Sequence, residues 1–182
     1  MTTDDASLID GVYDYAVTDR YIYVLPVKEP RIVLFDRQGR FIRTLVKEGQ
    51  GPGEFRGILP CIQVDERNDR LFLFSNNRVW EYTLEGEFIG QSTHEYSVIY
   101  MRHIGKDRFA AISFPFQPFN GGGFGLGLFS RKGDTIAIKN DFYSFLLPHE
   151  KSGFTTSIAP AYSDAQNSVL FKTGSNDTVF CI

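Results

Sequence analysis

Apolar and polar side chains alternate along this chain in short runs, each closed by a cluster of Asp, Asn, Arg and Gly, and that two-residue period predicts half-buried β-strands. Three stretches carry the pattern in one frame. "RIVLFDRQGRFIRTL" from Arg31, "NRVWEYTLEGEFIGQS" from Asn77 and "GLGLFSRKGDTIAIK" from Gly125 superimpose without gaps. Phe35, Tyr82 and Phe129 recur every 47 residues, as do Gly39, Gly86 and Gly133. Each unit reads as strand, polar turn, strand, with Gly where the turn needs a positive φ.

A second hairpin is predicted ahead of each of these. "YDYAVTDRYIYVL", "IQVDERNDRLFLF" and "IYMRHIGKDRFAAI" place Asp19-Arg20, Asp69-Arg70 and Asp107-Arg108 just before an apolar run, and "APAYSDAQNSVLFK" repeats the shape with Asn167-Ser168. Asp and Asn suit such turns because their side chains bond the nearby backbone. The repeating unit is therefore four short strands in about 40 to 47 residues, the period of a β-propeller blade. The prediction is an all-β propeller of four-stranded antiparallel blades over residues 1–182: blade one at 10–45, blade two at 58–91, blade three at 98–139 and an incomplete blade four at 155–182. Roughly 3.75 blades would leave apolar faces open at both ends, predicting self-association or continuation into a longer propeller.

The glycine-rich "GQGPGEF", Gly49–Phe55, falls between blades one and two. A phosphate-cradling loop would lead into a helix whose amides face the anion. The next residues, "RGILPCIQVD", read as a strand, so the glycines are assigned to a tight turn and Phe55 to a peg against a neighbouring blade. The span Gly49–Ile89 resembles an NHL-type repeat, with its Gly-Pro-Gly loop and aromatic, a Pro before the inner strand and a hairpin closing on Gly-x-Phe. Nearly the whole chain is similar to the uncharacterised six-bladed propeller proteins of bacterial envelopes, often lipoproteins. Phe35–Phe55 and the terminal Ser175–Ile182 carry that likeness. The resemblance implies an envelope or periplasmic location, a signal segment ahead of residue 1 and further blades.

Composition narrows the partners. With 19 basic and 22 acidic residues interspersed, net charge −3, the chain offers no basic stripe for nucleic acid and no polybasic membrane anchor. "MTTDDASLID" lacks the basic and apolar regions of a signal peptide, and no stretch approaches the roughly 18 apolar residues of a membrane span. At 182 residues the chain can bury a core without disulfides or metals, and 17 Phe with 9 Tyr supply aromatic bulk suited to pleated surfaces. Cys61 and Cys181, the only cysteines, are too far apart for a zinc pair and read as ordinary thiols.

Catalytic signatures are sparse. His94, His103 and His149 lack metal-ligand spacing, and no Gly-x-Ser-x-Gly element occurs. No catalytic residue, metal ligand or cofactor is expected. Two loops are longer than their neighbours, "FPFQPFNGGGFGLG" and "NDFYSFLLPHEKSG", and the first reads either as an elongated hairpin tip or as a ligand-contacting element. Blade crossings and first-hairpin turns are expected to ring one channel mouth with Arg20, Glu54, Phe55, Arg56, Arg70, His94, Glu95, Tyr96 and Arg108. This favours a non-enzymatic binding or scaffold module for a protein or glycan partner. The alternative, implied by the NHL-like resemblance, is a metal-dependent lyase or lactonase-like enzyme with its site in the channel.

Overall fold

The computed structural model describes residues 8–57, 61–96, 98, 100–105, 107–112, 126–139, 159–163, 168–172 and 179–181, and these hold fifteen strands. The first sheet orders β1 (Val12–Val17), β2 (Tyr21–Pro26), β3 (Arg31–Asp36) and β4 (Phe41–Lys47) as consecutive antiparallel neighbours. The second does the same with β5 (Cys61–Asp65), β6 (Arg70–Ser75), β7 (Arg78–Tyr82) and β8 (Phe88–Thr93). The third comprises β9 (Tyr100–His103), β10 (Arg108–Ile112), β11 (Leu126–Ser130) and β12 (Thr135–Lys139), and the fourth is three-stranded, β13 (Ala159–Ser163), β14 (Ser168–Lys172) and β15 (Val179–Cys181). The all-β class and the four-stranded antiparallel sheets agree with the sequence pattern. The chain divides into two compact units, Met1–Thr93 with the first two sheets and His94–Ile182 with the others. No helix of the described residues is long and apolar enough to cross a membrane. Of the two stretches expected as long loops, residues 114–125 of "FPFQPFNGGGFGLG" and all of "NDFYSFLLPHEKSG", with His149, lie outside the described residues.

The 47-residue repeat is a repeat of hydrogen bonds. At Asp36, Thr83 and Ser130 a side-chain oxygen accepts the backbone N–H four residues on, from Arg40 at 2.9 Å, Glu87 at 3.1 Å and Asp134 at 3.0 Å. In each turn the Gly N–H donates to the carbonyl of that same residue at 3.0 Å, and the Gly takes a φ of 77° (Gly39), 87° (Gly86) or 103° (Gly133). This is a three-residue hairpin loop closed by a left-handed Gly, in which an Asp, Thr or Ser side chain satisfies an amide the ladder leaves over. Just beyond it each outer strand carries a bulge, between Leu34/Phe35, Glu81/Tyr82 and Leu128/Phe129. The residues set out by the bulges, Ile42, Ile89 and Ile136, are exposed and again 47 apart. A bulge on an edge strand twists it away from templating another chain.

The Asp-Arg turns are less uniform than their sequence suggests. Asp69 and Asp107 take left-handed φ of 54° and 56°. The first turn is closed instead by Thr18, whose hydroxyl accepts the Tyr21 N–H at 3.0 Å. The second is lengthened by a 3-10 turn, Glu66–Asn68, capped by the Asp65 carboxylate.

Within the first unit the two sheets pack face to face. One face of the first sheet (Ala16, Tyr23, Leu34 and Val46 among others) meets one face of the second (Ile62, Leu71, Leu73, Trp80, Tyr82), with Val64 at the margin. Phe55 is fully buried there, edge-on to Trp80 with ring centroids 6.4 Å apart, so the chain leaving the glycine loop pins the seam. At the innermost strands the Asp14 carboxylate accepts the Ile62 N–H at 2.8 Å, and at the outer side Arg43 donates to the Glu85 carbonyl at 3.0 Å.

Gly86 and Gly39 separate two costs of adding a methyl. Both have positive φ, but a Cβ at Gly39 meets open space whereas one at Gly86 would stand 3.0 Å from the Leu45 carbonyl oxygen of the adjacent sheet. Urea unfolding is expected to show Gly39→Ala losing about 1 kcal/mol and Gly86→Ala about 2–3 kcal/mol, the excess being the inter-sheet clash. Equal losses would mean that the sheets are not closely seated at this point.

Candidate functional site

In a meander the first and third turns of a sheet share one end, and hydrogen bonds here tie them together. In the second sheet the Leu84 N–H donates to the Asp69 carboxylate at 3.1 Å. In the third the Arg131 N–H donates to the Asp107 carbonyl at 2.8 Å, while its guanidinium pairs with the Asp107 carboxylate at 3.2 Å. In the first unit the turn ends of both sheets are joined where the Asp19 N–H donates to the Glu66 carboxylate at 3.2 Å. These braced ends expose Arg20, Arg37, Gln38 and Arg40 on the first sheet, Glu85 and Glu87 on the second, and Lys132 and Asp134 on the third.

The expected ring of site residues is redistributed. Arg20 stays exposed at its turn, with its guanidinium 5.6 Å from the Tyr21 ring centroid. Arg70 is engaged by Glu81, a buried carboxylate 2.6 Å from its Nε, and donates to the Asn68 and Asp69 carbonyls. Arg108 is half-buried at the corresponding turn of the third sheet. Glu54, Phe55 and Arg56 belong instead to the connection that enters β5 at Cys61, whereas Arg70 lies past the other end of that strand.

The connection is folded on itself. The Gly49 N–H donates to the Phe55 carbonyl at 3.1 Å, Glu54 accepts the Gly51 N–H at 2.7 Å, and Arg56 donates to the Gly49 and Gln50 carbonyls. The Gly49, Gly51 and Glu54 amides are thus used internally, and the connection leads into a strand, as a turn requires and a phosphate cradle does not. Phe55 is interior, in the core between the two sheets of the first unit.

His94 is also interior. It lies edge-on to Phe129 at 5.0 Å and to Phe109 at 6.3 Å between ring centroids, with Tyr96 tilted against the same Phe129. His103 contacts Phe109 from its own strand at 5.4 Å, so two histidines share one phenylalanine. Burial drives the His94 imidazole down to a pKa of about 4, opposed by a hydrogen bond with the Gly133 backbone. At neutral pH it is an uncharged, buried member of an aromatic cluster. Among the described residues no group of three or more His, Cys, Asp or Glu converges as metal ligands would. Cys61 is a half-buried thiol, pushed up to about 11 by burial and by the nearby Asp14. That is the setting of an unreactive thiol, as read from its sequence.

Sequence reasoning does not single out the exposed third turns as a candidate site. Their signal is nonetheless present: Asp, Thr or Ser three residues before each repeated Gly.

A family model described as "Domain of unknown function (DUF4934)" matches residues 2–182. Among curated proteins none matches the chain. A solved structure of a Bacteroides fragilis protein inferred to be exported is similar over 100% of this chain and 50% of its own, with 17% identity and a TM-score of 0.75. The chain thus spans half the length of that neighbour. A protein of unknown function from Bacteroides caccae shows 10% identity and a TM-score of 0.49 over 69% of this chain and 47% of its own.

Acid should expose the buried histidine. Between its folded value near 4 and the ordinary 6.5, the unfolded chain takes up a proton that the folded chain refuses. Its contribution to stability is therefore full above about pH 6.5 and falls as pH drops toward 4. By pH 4.5 the loss is on the order of 2 kcal/mol, and His94→Phe should abolish that part of the pH dependence in denaturant titrations. An unchanged acid slope in the variant would place the titrating group elsewhere.

Proposed function

The chain belongs to the family described as a domain of unknown function (DUF4934), and from that premise we propose that it is a non-enzymatic binding or scaffold module built as NHL-like propeller blades. It would offer its turns to a protein or glycan partner outside the cytoplasm. Four-stranded meanders stacked face against face support the blade reading. The inferred export of the Bacteroides fragilis neighbour supports the location.

One observation carries the binding role. Three turns share a single hydrogen-bonded backbone yet present different exposed side chains: Arg37, Gln38 and Arg40, then Glu85 and Glu87, then Lys132 and Asp134. A constant frame with variable tips costs little ordering entropy on binding and sets specificity through the side chains alone. Arg20 adds an exposed guanidinium at the same end of the first sheet.

A glycan array carrying neutral and uronate-containing oligosaccharides, with a Bacteroides envelope extract as a source of protein partners, tests this reading. Saturable binding of one class is expected, weakened about tenfold or more in Arg20→Ala or Arg37→Ala with unchanged unfolding, since a charged hydrogen bond contributes roughly 1.5–3 kcal/mol. Turnover of a uronide or lactone probe on addition of Ca²⁺ or Mn²⁺ would replace the binding role with an enzymatic one. Absence of saturable binding to every probe would remove it.

A further inference from the structure

The second and third repeats treat one arginine differently. Glu81 and Tyr82 lie 47 residues before Leu128 and Phe129, and strand pairing carries that correspondence inward across each sheet. Phe72, opposite Glu81, matches Ala110, opposite Leu128. Gln63, opposite Phe72, matches Arg102, opposite Ala110. Arg70 and Arg108 therefore hold the same place, each opening its strand one residue ahead of the Leu71–Tyr82 or Phe109–Phe129 pair.

In the second sheet this arginine is neutralised from within. Its Nε stands 2.6 Å from the buried Glu81 carboxylate, and the guanidinium also donates to the Asn68 and Asp69 carbonyls. In the third sheet Leu128 replaces the carboxylate, and the Arg108 Nε is buried with no hydrogen-bond acceptor among the described residues. Gln63, Arg70 and Glu81 carry no net charge, whereas Arg102, Arg108 and Leu128 carry two positive charges. Arg102 and Arg108 are diagonal neighbours across β9 and β10, close enough for long side chains to act on one group. The surround is apolar, with Ile104 and Ala110 buried and Leu128 packed against them. A half-buried guanidinium in such a setting holds an anion more strongly than one in open water.

We infer that Arg108 anchors an anion subsite on the third sheet whose ligand is a small organic carboxylate, a uronate being the form a glycan supplies. The second repeat gives the class of ligand: there the occupant of the equivalent guanidinium is a carboxylate. A planar two-oxygen group also matches the donor fork of arginine. This deepens the binding reading and rests on it. Arg20 and Arg37 offer exposed charges on the first sheet, and Arg108 adds a half-buried one at the corresponding turn of the third.

Nuclear magnetic resonance of the arginine Nε–H groups in the 182-residue chain, titrated with methyl glucuronide, tests the subsite. The Arg108 signal, identified by its loss in Arg108→Lys, should shift saturably. Methyl glucoside, which lacks the carboxylate, should leave it unmoved. By calorimetry, Arg108→Lys should weaken glucuronide binding by about tenfold or more, because the two-pronged contact is lost. Leu128→Glu rebuilds the second sheet's pair, so it should weaken glucuronide by about tenfold or more while the chain stays folded by circular dichroism. If that variant does not fold, Arg108→Lys alone decides. No shift with glucuronide, an equal shift with glucoside, or full affinity in Arg108→Lys would each overturn the subsite. Sulfate bound equally well would overturn the carboxylate assignment, and an acidic peptide that displaces glucuronide at lower concentration would overturn the uronate in favour of a protein. Array or envelope binding through Arg20 or Arg37 with an Arg108 signal indifferent to glucuronide sinks the subsite alone. Glucuronide held at Arg108, with turnover of the uronide probe on addition of Ca²⁺ or Mn²⁺, sinks the non-enzymatic reading alone.

Discussion

A four-stranded sheet with apolar side chains on both faces cannot stand alone in water, and this constraint organises the molecule. Burial of each large apolar side chain contributes about 1.5–3 kcal/mol, so an uncovered face forfeits much of what opposes chain entropy. The first two sheets meet the constraint together, joining Tyr23 and Leu34 to Leu73, Trp80 and Tyr82 in one core. Phe55 closes the seam from the connecting loop, and the Asp14 carboxylate fixes the innermost strands against one another.

Face-to-face packing demands that each sheet end in the same place, and the turns provide this. The side-chain acceptor at Asp36, Thr83 or Ser130 and the left-handed Gly three residues later hold one loop geometry, while the bulge beyond it bends the outer strand. Gly86 shows how the two requirements meet. Its φ serves the turn, and its missing side chain lets Leu45 of the neighbouring sheet approach. The frame is held by backbone and short side chains, leaving Arg37, Glu85 and Lys132 exposed at the tips.

The candidate site is only partly legible in the sequence. Arg20 is readable as a turn residue because Asp-Arg before an apolar run is a local signal. Phe55 and His94 read as channel-mouth residues because they fall in connections, and connections usually lie on the surface. Both are interior because their connections run against a sheet, where Trp80 takes the first ring and Phe109 with Phe129 take the second. Arg70 illustrates the same limit: its turn is foreseeable, but its engagement by the buried Glu81 depends on a strand pairing that no local pattern specifies.

By itself the sequence determined what depends on neighbours along the chain: strand periodicity, the hairpin turns, the 47-residue repeat and the glycines that need positive φ. These arise from local sterics and side-chain alternation. Tertiary structure alone decided which alternating face is covered. Tyr15 and Ile62 occupy equivalent places in equivalent strands, and nothing in their local patterns makes one open and the other closed. The difference is the presence of a packed sheet, a contact between residues far apart in the chain, and a two-residue period is blind to it.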